Sequence, residues 1–254
     1  MMDDLLICVP ARYYSSRLEG KPLFKINNLT IINLVYLNIL KIKNIKKSNI
    51  IILTEDKKIY DEVINFGGNC YISKNECNNG TLRIIDYLKE NNIKKKYILN
   101  IQGDEPYFDI DNLQKLINYF INLHENEIYN NVKCGTLYYK VKDYNYVNSK
   151  NRVKLVISKN NYIMYGSRQV IPGSKKGNEE IEYKIHIGIF IFNYDYLIND
   201  YNNENYYYEK IEDLEWLKIL EQDYKICAFE VDTHEIGVDT LEDYNYLKNK
   251  YEKK

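Results

Sequence analysis

Short apolar runs and amphipathic stretches take turns along the first half of the chain. "LLICVP" (5–10) and "NIIILT" (49–54) are β-rich apolar runs, and between them "LTIINLVYLNILKIKN" (29–44) repeats its apolar residues at helical spacing. After Thr54, "EDKKIYDEVINFGG" predicts a helix with acids in its first turn and a glycine pair at its end. "NCYIS" predicts another strand, "GTLRIIDYLKEN" a helix, "YILNIQ" a strand and "DIDNLQKLINYFINLHEN" a strongly amphipathic helix. The order βαβαβαβα argues for a parallel sheet covered by helices on both faces.

The second half changes character. "VKCGTLYYKV", "RVKLVIS", "NYIMYGS" and "HIGIFIFN" are strand-like, with fewer helical patterns between them. They are followed by one amphipathic helix, "YEKIEDLEWLKILEQ" (208–222), a strand, "KICAFEV", and a last helix from Thr240. The chain therefore reads as one domain, 1–254, with a core over about 1–135 and 226–254 and an inserted lobe of strands over about 136–225.

Charge and composition narrow the partners. A net charge of -1 gives no reason to expect nucleic acid or an anionic membrane, and no apolar run approaches the ~18 residues of a membrane span. Five cysteines, an odd number without any CxxC, argue against a disulfide framework or a zinc site and for reduced thiols in a cytoplasm. With 27 tyrosines and many Asn and Lys residues, aromatic and Asn/Lys clusters are background here.

Ligands on parallel α/β sheets bind outside the carboxyl ends of the strands, which picks out five loops. "PARYYSSRLEGKPL" sets Arg12, Arg17 and Lys21 among small residues; it is either a solvated loop or a pocket for a polyanion. It is no P-loop, since Ser15 stands where that pattern needs glycine and Pro22 where it needs Ser or Thr. "QGDEP" puts Asp104 at a strand mouth, as a turn former or as a ligand for Mg2+ beside phosphate oxygens. "GVDTLED" offers Asp239 either as a helix cap, with Glu242 as the far member of a capping box, or as a second metal carboxylate. The loop from Thr54 and "ECNNGT" complete the set. In the lobe, His186 alternates with apolar residues, and Trp216 is most simply core or a lobe contact.

Taken in order, these motifs resemble those of the 3-deoxy-manno-octulosonate cytidylyltransferase (CMP-Kdo synthetase) family. "CVPARYYSSRLEGKPL", "LTED", "CNNGTLR", "NIQGDEP", "YGSRQVIP", "HIGIFIF", "IEDLEWLK" and "GVDTLEDY" are similar to its series from residue 8 to about 247. The resemblance implies a Rossmann-like nucleotidyltransferase core with a mostly parallel sheet covered by helices. It also implies an inserted mixed-strand lobe for sugar binding and dimerisation. The implied reaction joins a 3-deoxy 2-keto sugar acid to CTP with Mg2+, in a cytoplasmic homodimer, for lipopolysaccharide or another surface glycan. By the same resemblance Arg12, Arg17 and Lys21 hold the triphosphate, and Asp104 and Asp239 hold Mg2+. Pro10, Ala11, Ser16, Asn79, Gly80, Thr81, Arg83 and Gln102 complete the nucleotide site. Arg168, His186, Phe190, Glu215 and Trp216, with Arg17 and Gln102, face the sugar acid.

The departures concentrate at the sugar end. The family's "YFSR" is "YGSR" at Gly166, its "GIY" is "GIF" at Phe190, and its "LEQLR" is "LEWLK" at Trp216. A site built to bond a hydroxyl loses much when that partner goes, so the expectation includes a variant such as an 8-amino sugar acid. Two further readings share the fold. One is a non-catalytic nucleotide-sugar-binding partner, which the intact Arg12, Arg17, Lys21, Asp104 and Asp239 set argues against. The other is a nucleotidyltransferase for sialic acid or a sugar phosphate, whose first loop would lack "ARY" and "GKP".

Overall fold

The computed structural model describes all residues except 1, 16, 126–130, 176, 178–180, 202, 203, 205, 233–235, 253 and 254, and divides the chain into two units. The first, Met1–Gln114 with Glu235–Lys254, holds the alternating elements. They are β1 (Leu5–Pro10), a hairpin of β2 (Lys25–Ile26) and β3 (Leu29–Thr30), α1 (Ile31–Ile39), β4 (Ile50–Thr54), α2 (Lys57–Asn65), β5 (Cys70–Ile72), α3 (Gly80–Glu90) and β6 (Tyr97–Asn100). β1 pairs in parallel with β4 on one side, Ile7 opposite Ile50, and with β6 on the other, Leu5 opposite Tyr97; β5 extends the sheet beyond β4. All six residues of β1 are buried, as a central parallel strand requires. α3 packs on β1 and β4, and α2 on β4 and β5.

Local chemistry sets where these helices start. The Asp56 carboxylate accepts from Lys58 N (2.7 Å) at the head of α2, and the Asn79 side chain accepts from Leu82 N (2.8 Å) at the head of α3. One start differs from the sequence pattern. Leu29 and Thr30, expected as helix, form β3, because Asn27 and Asn28 both take positive φ (51° and 64°) and close a tight hairpin. Thr30 then caps α1 (Ile31–Ile39).

The second unit, Lys115–His234, contains most of α4 (Ile110–Glu125), then β7 (Val132–Val141), α5 (Tyr144–Val147), β8 (Lys154–Ile157), β9 (Ile163–Ser167), β10 (Tyr183–Asn193), α6 (Tyr207–Glu212), α7 (Leu217–Glu221) and β11 (Lys225–Glu230). Its strands are mixed: β11 is parallel to β7, β10 antiparallel to β7, and β8 antiparallel to both β10 and β9. The chain closes with α8 (Leu241–Glu252) in the first unit. The single helix that periodicity predicts over 208–222 is two short ones, α6 and α7. Asp213 takes a left-handed conformation (φ 51°, ψ 50°), which ends α6 and leaves Leu214–Trp216 between the helices.

All five cysteines are free thiols. Burial pushes the Cys70 and Cys227 thiols up to about 12, so both stay protonated at neutral pH. Among the described residues no helix is long and apolar enough to cross a membrane.

Candidate active site

The loop after β1 folds back on itself, Gly20 N donating to Tyr13 O (2.8 Å), and ends in a 3-10 turn at Lys21–Leu23. That turn directs Lys21 inward. Its side chain is 9% exposed, and its ammonium contacts the Asp104 carboxylate and, at 3.2 Å, Asp239 Oδ1. Burial works against the charge on Lys21, but Asp104 and then Asp239 outweigh it, and its pKa stands above the usual lysine value. Arg17 reaches the same Asp239 from a more exposed position, with both terminal nitrogens 3.4 Å from the carboxylate. Arg12 is exposed, and Ser16 lies outside the described residues.

Asp104 is held in place by the turn that precedes it. Gly103 N donates to Pro10 O (3.1 Å), and a Cβ on Gly103 would sit 2.8 Å from the Ala11 Cβ, so only glycine lets "QGD" lie this close to the first loop. Val238 N donates to Asp104 O (2.8 Å), which ties the last loop to the same turn. Asp239 and Asp104 therefore meet on one cationic point although 135 positions separate them, from 104 to 239.

The capping box expected at Asp239 and Glu242 sits one residue further along. Thr240 Oγ1 accepts from Asp243 N (3.2 Å), and Asp243 Oδ2 accepts from Thr240 N (2.9 Å). The pair satisfies the amide ends of α8, and Asp239's carboxylate is left to face Lys21 and Arg17. Among the described residues no group of three or more His, Cys, Asp or Glu side chains forms a metal cluster. Two convergent carboxylates around a single ammonium remain, an all-oxygen donor set. That suits Mg2+, which takes one or two carboxylates and fills its other positions with phosphate oxygens and water.

The third loop closes from another side. Around the first residue of α3, a Cβ on Gly80 would lie 3.2 Å from the Pro10 Cβ and 3.8 Å from Gln102 Oε1, which brings Pro10, Gly80 and Gln102 together. The Asn79 side-chain oxygen caps α3, and Thr81 is buried in its first turn. Arg83 is buried (7% exposed) and pairs with Glu55, while its guanidinium also donates to Ala11 O (3.4 Å). Glu55 in turn accepts from Tyr13 N (3.1 Å). Arg83 and Glu55 thus brace the first loop together, a link that the loop from Thr54 does not declare in sequence.

The residues expected at the sugar acid all lie in the second unit, apart from Arg17 and Gln102. The His186 ring centroid is 5.0 Å from that of Phe190 and 5.3 Å from that of Trp216. Phe190 and Trp216 are buried, at 4% and 3% exposure, so the departures from the family pattern form a ring cluster behind a half-buried His186. Glu215 stands in the break between α6 and α7 rather than within a helix. Arg168 donates Nε to Glu212 O (2.8 Å), Nη2 to Asp213 O (2.9 Å) and Nη1 to Lys150 O (3.2 Å). Its guanidinium gathers the carbonyls that the end of α6 leaves unmet.

Comparison with known proteins gives a consistent picture. A family model described as Cytidylyltransferase matches residues 6–226. The chain is 41% identical over 247 residues to a 3-deoxy-manno-octulosonate cytidylyltransferase of Fusobacterium nucleatum subsp. nucleatum, covering 94% of this chain and 95% of that protein. It is 30% identical over 239 residues to the protein of the same name in Christiangramia forsetii, covering 94% and 93%. Among solved structures it superposes on a CMP:2-keto-3-deoxy-manno-octonic acid synthetase complexed with CTP at a TM-score of 0.85, with 27% identity and coverage of 96% and 97%.

Proposed function

The chain belongs to the cytidylyltransferase family, with the 3-deoxy-manno-octulosonate cytidylyltransferases, and from that premise we propose that it joins 3-deoxy-manno-octulosonate to CTP, giving the CMP-sugar and pyrophosphate. Membership makes it a nucleotidyltransferase. The observation that carries the nucleotidyl-transfer reading is the meeting of Asp104 and Asp239 on the Lys21 ammonium, with Arg17 at its edge, and the names of the relatives point to the sugar acid.

In the reaction, the anomeric hydroxyl of the sugar acid gives up its proton to water, its oxygen bonds to the α-phosphorus of CTP, and the bond from that phosphorus to the pyrophosphate oxygen breaks. Nucleophile and electrophile both belong to anions, so positioning and charge neutralisation are the main tasks. Arg12 and Arg17 offer planar forks to phosphate oxygens, and Lys21 offers a point charge. Arg17 and Lys21 stand on Asp239, and a triphosphate would supply these cations with further acceptors. Asp104 and Asp239 would hold Mg2+, which when bound neutralises phosphate charge and eases the approach of an anionic nucleophile. Gln102, beside Pro10 and Gly80, offers both a donor and an acceptor to the cytosine edge. Arg83 and Glu55 keep the first loop in place for Arg12 and Arg17. On the sugar side, His186 and Glu215 supply hydrogen-bonding groups, and Arg168 shapes the segment they stand beside. The exposed Tyr207, Tyr208 and Ile211 on α6 support a homodimer through the second unit, which sedimentation equilibrium tests.

The deciding assay is pyrophosphate release from CTP, with and without Mg2+, against a panel of 2-keto sugar acids. We expect Mg2+-dependent turnover that is fastest with 3-deoxy-manno-octulosonate. Comparable rates with UTP or GTP would reject the nucleotide, and release without any dependence on a sugar acid would reject the reaction.

A further inference from the structure

One hydroxyl in the second unit has more acceptors around it than it has hydrogens. Thr136, on β7, is fully buried. Its Oγ1 lies 2.7 Å from Ile189 O, 3.1 Å from Ile187 O and 3.0 Å from His186 Nε2. The crowding comes from an irregularity in β10. Its pairing with β7 steps from Ile187 opposite Leu137 directly to Phe190 opposite Thr136, so Gly188 and Ile189 are extra residues on one strand. This bulge brings two carbonyls onto one threonine, and it leaves His186 and Phe190 ring to ring.

The proton count then fixes the imidazole. A hydroxyl has one hydrogen to give, and carbonyl oxygens can only accept. Were Nε2 a bare lone pair, the hydroxyl hydrogen would have to point at it. Oγ1 would then face carbonyl oxygens at 2.7 Å and 3.1 Å with no hydrogen between. With the hydrogen on Nε2, the ring donates to Oγ1 and the hydroxyl donates to Ile189 O, so only the longer contact, to Ile187 O, is left without a hydrogen. Buried oxygen atoms facing one another without a hydrogen are costly, so the second arrangement wins.

We infer that Thr136 is a positioning residue that fixes His186 as the Nε2–H tautomer, so that the neutral ring presents a lone pair at Nδ1. On the reading that His186 serves the sugar acid, on which the functional half of this inference rests, this tautomer sets which ring nitrogen donates and which accepts at that end of the site; the other tautomer would exchange them. The Phe190 and Trp216 rings, at 5.0 Å and 5.3 Å, hold the imidazole plane while Thr136 sets its proton.

Long-range proton–nitrogen correlation on the full-length, nitrogen-15-labelled protein reads the tautomer directly. The chain has three histidines, so His186→Gln assigns the signal. At pH about 8.5, where an ordinary imidazole is neutral, we expect a protonated Nε2 and a bare Nδ1 in the wild type. Thr136→Val keeps the shape without the hydroxyl. It should mix the tautomers and raise KM for the sugar acid roughly tenfold while KM for CTP holds, and Thr136→Ser should restore both. A protonated Nδ1 in the wild type overturns the assignment, and that spectrum needs no variant to fold. Mixed tautomers with an unchanged sugar KM in Thr136→Val overturn the positioning role. A wild type that releases no pyrophosphate with any sugar acid strikes the functional reading instead, and the spectrum still decides the tautomer.

Discussion

Lys154 is fully buried, and its ammonium is ringed by the carbonyls of Ser149 (3.1 Å), Arg152 (2.6 Å) and Arg168 (2.6 Å). Three N–H groups meet three acceptors, so the charged form is fully satisfied by hydrogen bonds. Burial, and then the charge of Arg168, nonetheless push the Lys154 pKa down to about 8, with Glu212 pulling the other way. An unfolded lysine titrates near about 10.4, so between those values the unfolded chain binds the proton more strongly and stability rises with pH. We expect wild-type stability relative to Lys154→Met to grow between pH about 8 and about 10.4, measured by denaturant midpoints, and parallel curves would refute it. At Asp239 the sequence leaves two jobs open, helix cap with Glu242 or metal carboxylate, since either uses the same side-chain oxygens. Only the folded geometry shows that Thr240 and Asp243 take the cap. Asp239→Asn should therefore lower pyrophosphate release about a thousandfold while circular dichroism and melting stay near wild type. A collapse of α8 in that variant would return Asp239 to the capping role.

Elements were most legible where a single local rule decides them. The strands and helices of the first unit follow the apolar periods closely, and each main boundary coincides with a cap or a turn. The break between α6 and α7 was not legible, because what uses it lies elsewhere in the chain: Arg168 binds the Glu212 and Asp213 carbonyls from 44 and 45 positions away. The bulge in β10 was hidden for a similar reason, since a run such as "HIGIFIF" does not declare its register against β7. Two departures from the family pattern, Gly166 and Trp216, meet in space. A Cβ on Gly166 would lie 2.2 Å from Trp216 Cη2, so the Trp216 ring, from the α6–α7 junction, fills the space that a side chain at 166 on β9 would take. Gly166→Phe alone should destabilise by about 1–3 kcal/mol through overpacking, and Trp216→Gln alone by about 3 kcal/mol through the space it leaves. The double variant should cost clearly less than their sum in a double-mutant cycle by urea melts. Additive costs would mean that the two positions do not share that space.

Across the whole molecule, the candidate residues for the nucleotide lie in the first unit and most of those for the sugar acid in the second. The nucleotide set draws on 10–21, 79–104 and 239, segments that only a parallel sheet with its loops at one end would collect. That grouping could be read from the order of the motifs. The bracing of the first loop by Arg83 and Glu55 could not, since no local pattern links those positions. Glu55→Gln should weaken that brace and raise KM for CTP about tenfold, with KM for the sugar acid little changed in two-substrate steady-state kinetics. Equal changes in both constants would show that the loop serves more than the nucleotide.

Trp216 is the only tryptophan among the 254 residues, and its ring lies against His186 with almost no exposure to solvent. Light absorbed selectively by indole is thus emitted from one ring with one imidazole beside it. The chain carries a native optical probe at the position where the sugar acid is expected, and titrating that substrate while watching the emission would report on His186 without any label.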